Sequence, residues 1–301
     1  MFTGATIRLS MICEALGLIL LRDAEIAHVG KVPTRLDRRI VPVGTEAHLG
    51  EAAAETGIVA YVAPADLVAA LPEEAGAIVA DRPMAVAMAI HEHLAELPGF
   101  LWSDFDTVID PTARIMPGAY IAPQNVRIGP MTVVGPNAVV LERTIIGAAC
   151  SIGAGSVLGM EAFEQRSGAR PRRLLVQAGG VMLEDHVTLL PGCTIARSSF
   201  GGFTRIGQET QIDAQSYIAH DCRVGARVTI CAGCAVSGRV EIGDDAYLGP
   251  NCTVSNGVRI GAQATVSLGG VVTRPVPDGA RVSGNFALPH ENWLRLVRDY
   301  R

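Results

Sequence analysis

Ile206-Gly207-Gln208-Glu209-Thr210-Gln211, Ile212-Asp213-Ala214-Gln215-Ser216-Tyr217 and Ile218-Ala219-His220-Asp221-Cys222-Arg223 are three consecutive blocks of six, each opened by an aliphatic residue. The beat continues without a slip through Val224, Ile230, Val236, Ile242, Leu248, Val254, Ile260, Val266 and Val272. Four positions after each aliphatic stands a small or β-branched residue, such as Thr210, Ser216, Cys222 or Val228. The same phase runs earlier through Ile109, Ile115 and Ile121, then, after one seven-residue step, through Ile128, Val134, Val140, Ile146, Ile152 and Leu158. It resumes at Leu183, Leu189 and Ile195, which brings the total to 24 units.

A period of six matches neither the 3.6 of a helix nor the alternation of a half-buried strand. It fits short strands joined by tight corners, with one aliphatic turned inward at each. The glycines that follow many of these aliphatics, such as Gly207, Gly225 and Gly243, are expected to tolerate dihedrals that a Cβ would forbid. The pattern resembles the hexapeptide repeat of left-handed parallel β-helices, in which three hexapeptides make one triangular coil. The expected fold is therefore mainly β: a left-handed parallel β-helix of about eight coils, roughly 40 Å tall at ~4.8 Å per strand, with a small N-terminal α/β domain and a short C-terminal helix. A β-sandwich would not hold phase over so many units.

Working outward, residues 1–100 lack the repeat. They read as a helix over Leu9–Leu21, strands near Ile26–Val29, Ile58–Val62 and Ala77–Val79, a short helix at Ala65–Leu71 and a helix over Met84–Leu97 opened by Pro83. This domain is a candidate substrate- or nucleotide-binding unit. Residues 107–276 form the repeat domain, interrupted by an excursion over 160–180 that carries Arg166, Arg170, Arg172 and Arg173. It is a solvated loop or a phosphate-contacting one, since arginine suits phosphate forks. Residues 277–301 leave through Pro277-Asp278-Gly279, a turn signal, into a short helix over Pro289–Tyr300 with Trp293, Leu296 and Val297 on its apolar side.

The 301 residues are 49% hydrophobic but only 5% aromatic, with 33 glycines. A mean hydropathy of +0.30 rules out wholesale disorder. A net charge of -5 argues against a non-specific nucleic-acid binder, which needs a basic footprint. The apolar stretch Ala15–Leu21 is too short to span a bilayer, and no cleavage-site pattern follows it, so a cytoplasmic protein with reduced thiols is expected. Cys150, Cys193, Cys222, Cys234 and Cys252 all take the small inward position, where a free thiol packs as a compact hydrophobe. Cys231-Ala232-Gly233-Cys234 has no second pair to complete a zinc site, and no metal is expected.

Of the seven histidines, only His186 and His220 lie in coils. His220 follows Ile218 by two residues; Gly238 follows Val236 by two and comes 18 residues later. Gly238 should therefore sit one coil above His220 on the same edge, with its backbone N–H nearby. Asp213, on the preceding hexapeptide, is a candidate to orient the imidazole. A base, an orienting carboxylate and a bare backbone donor suit acyl transfer.

Here the residues resemble a known family. Ile212-Asp213-Ala214-Gln215-Ser216-Tyr217-Ile218-Ala219-His220-Asp221 is similar to the I-D-N-x-x-x-I-A-H-N segment of the UDP-3-O-acylglucosamine N-acyltransferases of lipid A synthesis. Val236-Ser237-Gly238 is similar to their A-G-S region, Gly159-Met160-Glu161-Ala162-Phe163 to their G-A-D-G-F loop, and Ser283-Gly284 with Pro289 and Trp293 to their exit segment. The resemblance implies a homotrimer with sites between neighbouring prisms. It also implies His220 as general base, Asp213 as its partner and Gly238 N–H as oxyanion donor; Phe163 in the matching loop, Arg166 on the arginine-bearing excursion and Asn256 are the candidate substrate contacts. Two departures stand out. Ala60–Leu67 lacks the Asn and final Tyr of the family's F-x-x-N-P-x-Y nucleotide segment, and Gly257 takes the place of a second pocket histidine.

The expected function is transfer of an acyl group from a thioester to the amine of a nucleotide-linked amino sugar, in lipopolysaccharide or related surface-glycan synthesis. The sequence stops eight residues after Trp293, short of the family's C-terminal extension. Acyl-CoA, including acetyl-CoA, is therefore expected as donor rather than acyl carrier protein, although the carrier stays open as a partner. An O-acyltransferase and a non-catalytic trimeric scaffold remain the alternatives.

Overall fold

A computed structural model of the chain describes residues 1–32, 36–284 and 289–299. All 24 repeat aliphatics fall in short strands, most of them two residues long. The strands form three parallel sheets of eight, eight and nine members, stacked as a left-handed β-helix, and Arg281–Val282 supplies the extra ninth strand. In the regular stretch each strand pairs with the one 18 residues on: Ile212 with Ile230, Ile218 with Val236 and Val224 with Ile242. From Ile128 onward the inward aliphatics and the five inward cysteines form one continuous buried column, while Ile109 and Ile115 of the first coil are exposed. Each buried aliphatic contributes about 1.5–3 kcal/mol over an exposed one. Burial pushes the Cys222 and Cys234 thiols up to about 12, so they pack and do not react.

The corners differ from expectation in one respect. The left-handed residue is not the glycine beside the aliphatic but the residue two places later, as at Gln215 (φ 59°), Asp221 (60°) and Arg239 (60°). These are mostly polar residues whose side chains point outward from the prism corner. The glycine serves close stacking instead: a Cβ on Gly207 would lie 2.4 Å from the carbonyl oxygen of Gly225 in the next coil.

The N-terminal domain is a five-stranded sheet in the order Ile19–Arg22, Gly76–Val79, Ile58–Ala63, Arg39–Pro42, His28–Val29. It is parallel except for the first pair. The helix expected over Leu9–Leu21 ends early: α1 covers Leu9–Leu16, because Gly17 takes the left-handed conformation (φ 64°) and caps it. Ile19–Arg22 then becomes an edge strand. Helix α2, Glu46–Ala53, is capped by Thr45, whose hydroxyl accepts from the His48 N–H at 3.2 Å. Helix α3, Pro83–Glu96, starts with proline in its first turn, as read from the sequence. Helix α4, His290–Asp299, lies within the expected C-terminal helix; Tyr300 and the side chains of Trp293, Leu296 and Val297 lie outside the described residues.

Two excursions leave the prism, at 161–179 and at 197–202. They follow the strands Val157–Met160 and Thr194–Ala196, which are neighbours in one sheet, and the next strand of that sheet, Tyr217–Ile218, leads into His220. Both excursions and His220 therefore emerge from one edge. Leu175, Ala178 and Phe200 of the excursions share a core with Leu9, Ile40, Met88 and Leu94 of the N-terminal domain. That shared core fixes the domain against the His220 edge. No helix among the described residues is long and apolar enough to cross a membrane.

Candidate active site

His220 occupies the second position of its corner and is 8% exposed, with Glu164 of the 161–179 excursion reaching its ring. Its Nδ1 lies 2.7 Å from Asp221 Oδ2. The other Asp221 oxygen accepts from the Ser198 hydroxyl and, at 3.2 Å, from the Ser199 N–H, both on the shorter excursion. Burial alone would raise the Asp221 carboxyl; the hydrogen bond and charge of His220, with the two serine donors, outweigh it and hold the group below its ordinary value. An ionised carboxylate only accepts, so Nδ1–H donates to Asp221, and in the neutral form of the ring the lone pair is then on Nε2.

Nε2 faces Gly238. A Cβ there would lie 2.5 Å from Nε2 and 2.6 Å from Cε1, so only glycine lets the ring occupy this place. Among the described residues the Gly238 N–H donates no hydrogen bond. The stacking of the two residues 18 apart is as the repeat predicted, because Ile218 and Val236 pair in register.

Asp213 is not beside His220. It stands one hexapeptide earlier, and six residues carry the chain round to a different corner of the triangle. There its carboxylate accepts from the Ala214 N–H at 2.6 Å, and it lines a separate cavity of about 320 Å³ with Leu190 and Cys231. The imidazole's orienting carboxylate within the chain is Asp221, the very next residue.

Two further groups reach the site. Glu164, on the long excursion, brings Oε2 to 3.7 Å from His220 Nε2. Its other oxygen accepts from Lys31 Nζ of the N-terminal domain at 2.6 Å, and both partners are largely buried. No local sequence signal marks this cluster, because its members come from three separate segments.

Arg166 is not a free phosphate fork. Its Nε donates to Glu92 of α3 at 2.8 Å, and Arg173 joins the same carboxylate at 2.5 and 2.9 Å, so both arginines tie the excursion to the domain. Nearby, the buried His91 Nε2–H donates to the Val176 carbonyl at 2.9 Å. Phe163 is 78% exposed beside Glu164. Asn256 sits one coil above Gly238. With its amide oriented as its neighbours require, it donates to the Gly238 carbonyl and accepts from Arg239 at 2.6 Å. A cavity of about 240 Å³ opens between Lys31, Pro42, His48 and Met84 of the domain and Arg239 of the prism.

Comparison with known proteins adds the following. Residues 125–159 and 203–238 match the family "Bacterial transferase hexapeptide (six repeats)", and residues 239–274 match "Hexapeptide repeat of succinyl-transferase". A UDP-3-O-acylglucosamine N-acyltransferase of Caulobacter vibrioides is 41% identical over 162 residues, which cover 54% of this chain and 47% of that protein. An acyl-[acyl-carrier-protein]–UDP-N-acetylglucosamine O-acyltransferase of Alkalilimnicola ehrlichii is 34% identical over 133 residues, 44% of this chain and 50% of that one. The chain spans about half the length of the curated relatives it matches. Among solved structures, the UDP-N-acetylglucosamine acyltransferase of Campylobacter jejuni covers 64% of this chain and 83% of its own, at 21% identity and a TM-score of 0.48. The chain is a hexapeptide-repeat, left-handed β-helix protein that resembles the UDP-3-O-acylglucosamine N-acyltransferases.

Proposed function

We propose that the chain is an N-acyltransferase that moves an acyl group from a thioester to the amine of a nucleotide-linked amino sugar, in lipopolysaccharide or related surface-glycan synthesis. The observation that carries this reading is the His220–Asp221 pair at 2.7 Å with its free Nε2 turned to the bare Gly238 corner. Asp221 holds the ring in the tautomer that leaves Nε2 basic and stabilises the imidazolium that forms. The amine nitrogen attacks the thioester carbon while Nε2 takes one of its protons. The C–S bond then breaks, and that proton passes to the departing thiolate, leaving an amide and a thiol. The Gly238 N–H is the proposed donor to the oxyanion of the tetrahedral intermediate.

The cavity between Lys31, His48, Met84 and Arg239 opens beside this corner and is the proposed seat of the acceptor's nucleotide side. The donor is a thioester of acyl carrier protein, as in the name of the Alkalilimnicola relative, or of coenzyme A. We further propose a homotrimer and a cytoplasmic location. Asp213 takes part only if a second prism carries its corner to His220, which a trimer would allow. The test is thiol release by the purified protein from acyl-CoA and acyl carrier protein donors, with UDP-3-O-acylglucosamine as acceptor and mass spectrometry of the product. An amide-linked product supports the reading. No thiol release with any donor contradicts it.

A further inference from the structure

The sequence leaves open whether an amine or a hydroxyl is acylated, and the two relatives named above differ on this point. We infer that Glu164 is a positioning residue that selects an amine acceptor over a hydroxyl, with Lys31 holding it in place. The inference rests on the acyl-transfer reading above and specifies its acceptor.

Glu164 Oε2 and His220 Nε2 are 3.7 Å apart, too far to bond each other well but spaced so that one acceptor atom can bridge them. An atom at a normal hydrogen-bond distance of ~2.9 Å from each sees them about 80° apart. Two N–H bonds of a tetrahedral nitrogen reach that pair with a bend of about 15° each, within hydrogen-bond tolerance. A neutral amine has two such hydrogens and one lone pair. One hydrogen points to Nε2 and is removed during attack. The second points to Glu164 and is retained in the amide. The lone pair is left free for the thioester carbon.

A hydroxyl has one hydrogen. With that hydrogen on Nε2, an oxygen lone pair faces the Glu164 carboxylate, and acceptor meets acceptor in a largely buried site. A site built to receive a hydrogen rejects the analogue that lacks it. The ion pair with Lys31 at 2.6 Å keeps Glu164 aimed, with side-chain exposures of 15% for Lys31 and 11% for Glu164. Lys31 belongs to the N-terminal domain and Glu164 to the excursion, so the selecting group is set by the docking of the two parts.

The experiment measures kcat and KM for the amine acceptor UDP-3-O-acylglucosamine and the hydroxyl acceptor UDP-N-acetylglucosamine with one donor. It compares the full-length wild type, Glu164→Gln, and the double variant Lys31→Met with Glu164→Met, which removes both charges of the pair. Thermal melts verify folding. The wild type should prefer the amine. Glu164→Gln, which keeps the shape but can donate to a hydroxyl oxygen, should lower kcat/KM for the amine about 10–100-fold, the loss of one hydrogen bond to a charged group, and should narrow the amine-to-hydroxyl ratio. The double variant should narrow it likewise. An unchanged ratio in both folded variants, with the wild type active on the amine, overturns the inference and leaves the acyl-transfer reading standing. Wild-type turnover of the hydroxyl acceptor alone also overturns it. No turnover of either acceptor overturns both.

Discussion

Gly238→Ala probes the geometry of the proposed site with a single methyl group. The added Cβ would lie 2.5, 2.6 and 3.0 Å from Nε2, Cε1 and Cδ2 of His220. An ordinary carbon contact is about 3.5–4.0 Å, so the ring must withdraw by about 1 Å. It cannot do so freely, because Nδ1 is bound to Asp221 at 2.7 Å and Asp221 is held by Ser198 and Ser199. A displacement of that size at a reacting group costs about 10²-fold. The backbone N–H survives the substitution, so the loss reports the position of the ring and not the removal of the oxyanion donor. Gly238 lies outside the left-handed region, so alanine fits its backbone, and the stability cost should be that of the overpacked ring alone, about 1–3 kcal/mol. Steady-state kinetics with UDP-3-O-acylglucosamine should therefore show kcat down about 10²-fold with KM little changed. A folded Gly238→Ala protein with wild-type kcat would refute the assignment of this corner as the reaction centre.

Asp221→Asn should lower kcat about 10²–10⁴-fold by releasing the tautomer that leaves Nε2 basic. The same carboxyl also bears on stability. Its folded value is depressed below the ordinary 3.8, so its contribution is fully present above that pH and is lost as the pH falls through the lower folded value. Wild type and Asp221→Asn should therefore converge in melting temperature on strong acidification, and a constant gap would contradict the ion pair. His91 is buried, and burial lowers its pKa to about 4, against the weaker pull of the Val176 carbonyl, Glu92 and Asp221. The unfolded chain then binds a proton that the folded one does not, so stability should fall by about 3 kcal/mol as the pH drops from 6.5 towards 4. Urea midpoints of His91→Leu should be flatter over that window, and an equal slope would refute the assignment. Sedimentation at micromolar concentration should give a trimer; a monomer would count against the trimer and any role for Asp213.

The prism was legible because its signal is local and repeated: one aliphatic every six residues places every strand, and 18 residues place Gly238 over His220. The long excursion was legible as a break in phase. The close pairing of His220 with Asp221 was harder to read. In a straight strand adjacent residues point apart, and only the left-handed φ of Asp221 at the corner brings its carboxylate back to the neighbouring ring. Asp213 misled for the complementary reason, since one hexapeptide is one full corner away. Glu164 and Lys31 could not be found at all from spacing, because 133 residues separate them and 56 more separate Glu164 from His220. Their meeting depends on the docking of α3 and the excursions through Leu175, Phe200 and the Glu92 ion pairs. Arg166, read as a ligand contact, is consumed by that docking.

The most direct test of the central claim is His220→Ala, assayed by thiol release and product mass beside the wild type. The variant should fold but melt below the wild type, because it leaves the buried Asp221 carboxylate without its partner, and should lose about 10²–10⁴-fold in kcat, with KM little changed, because the proton moves in the transition state. A folded His220→Ala protein that forms the amide product at near wild-type kcat would place the base elsewhere and contradict the account.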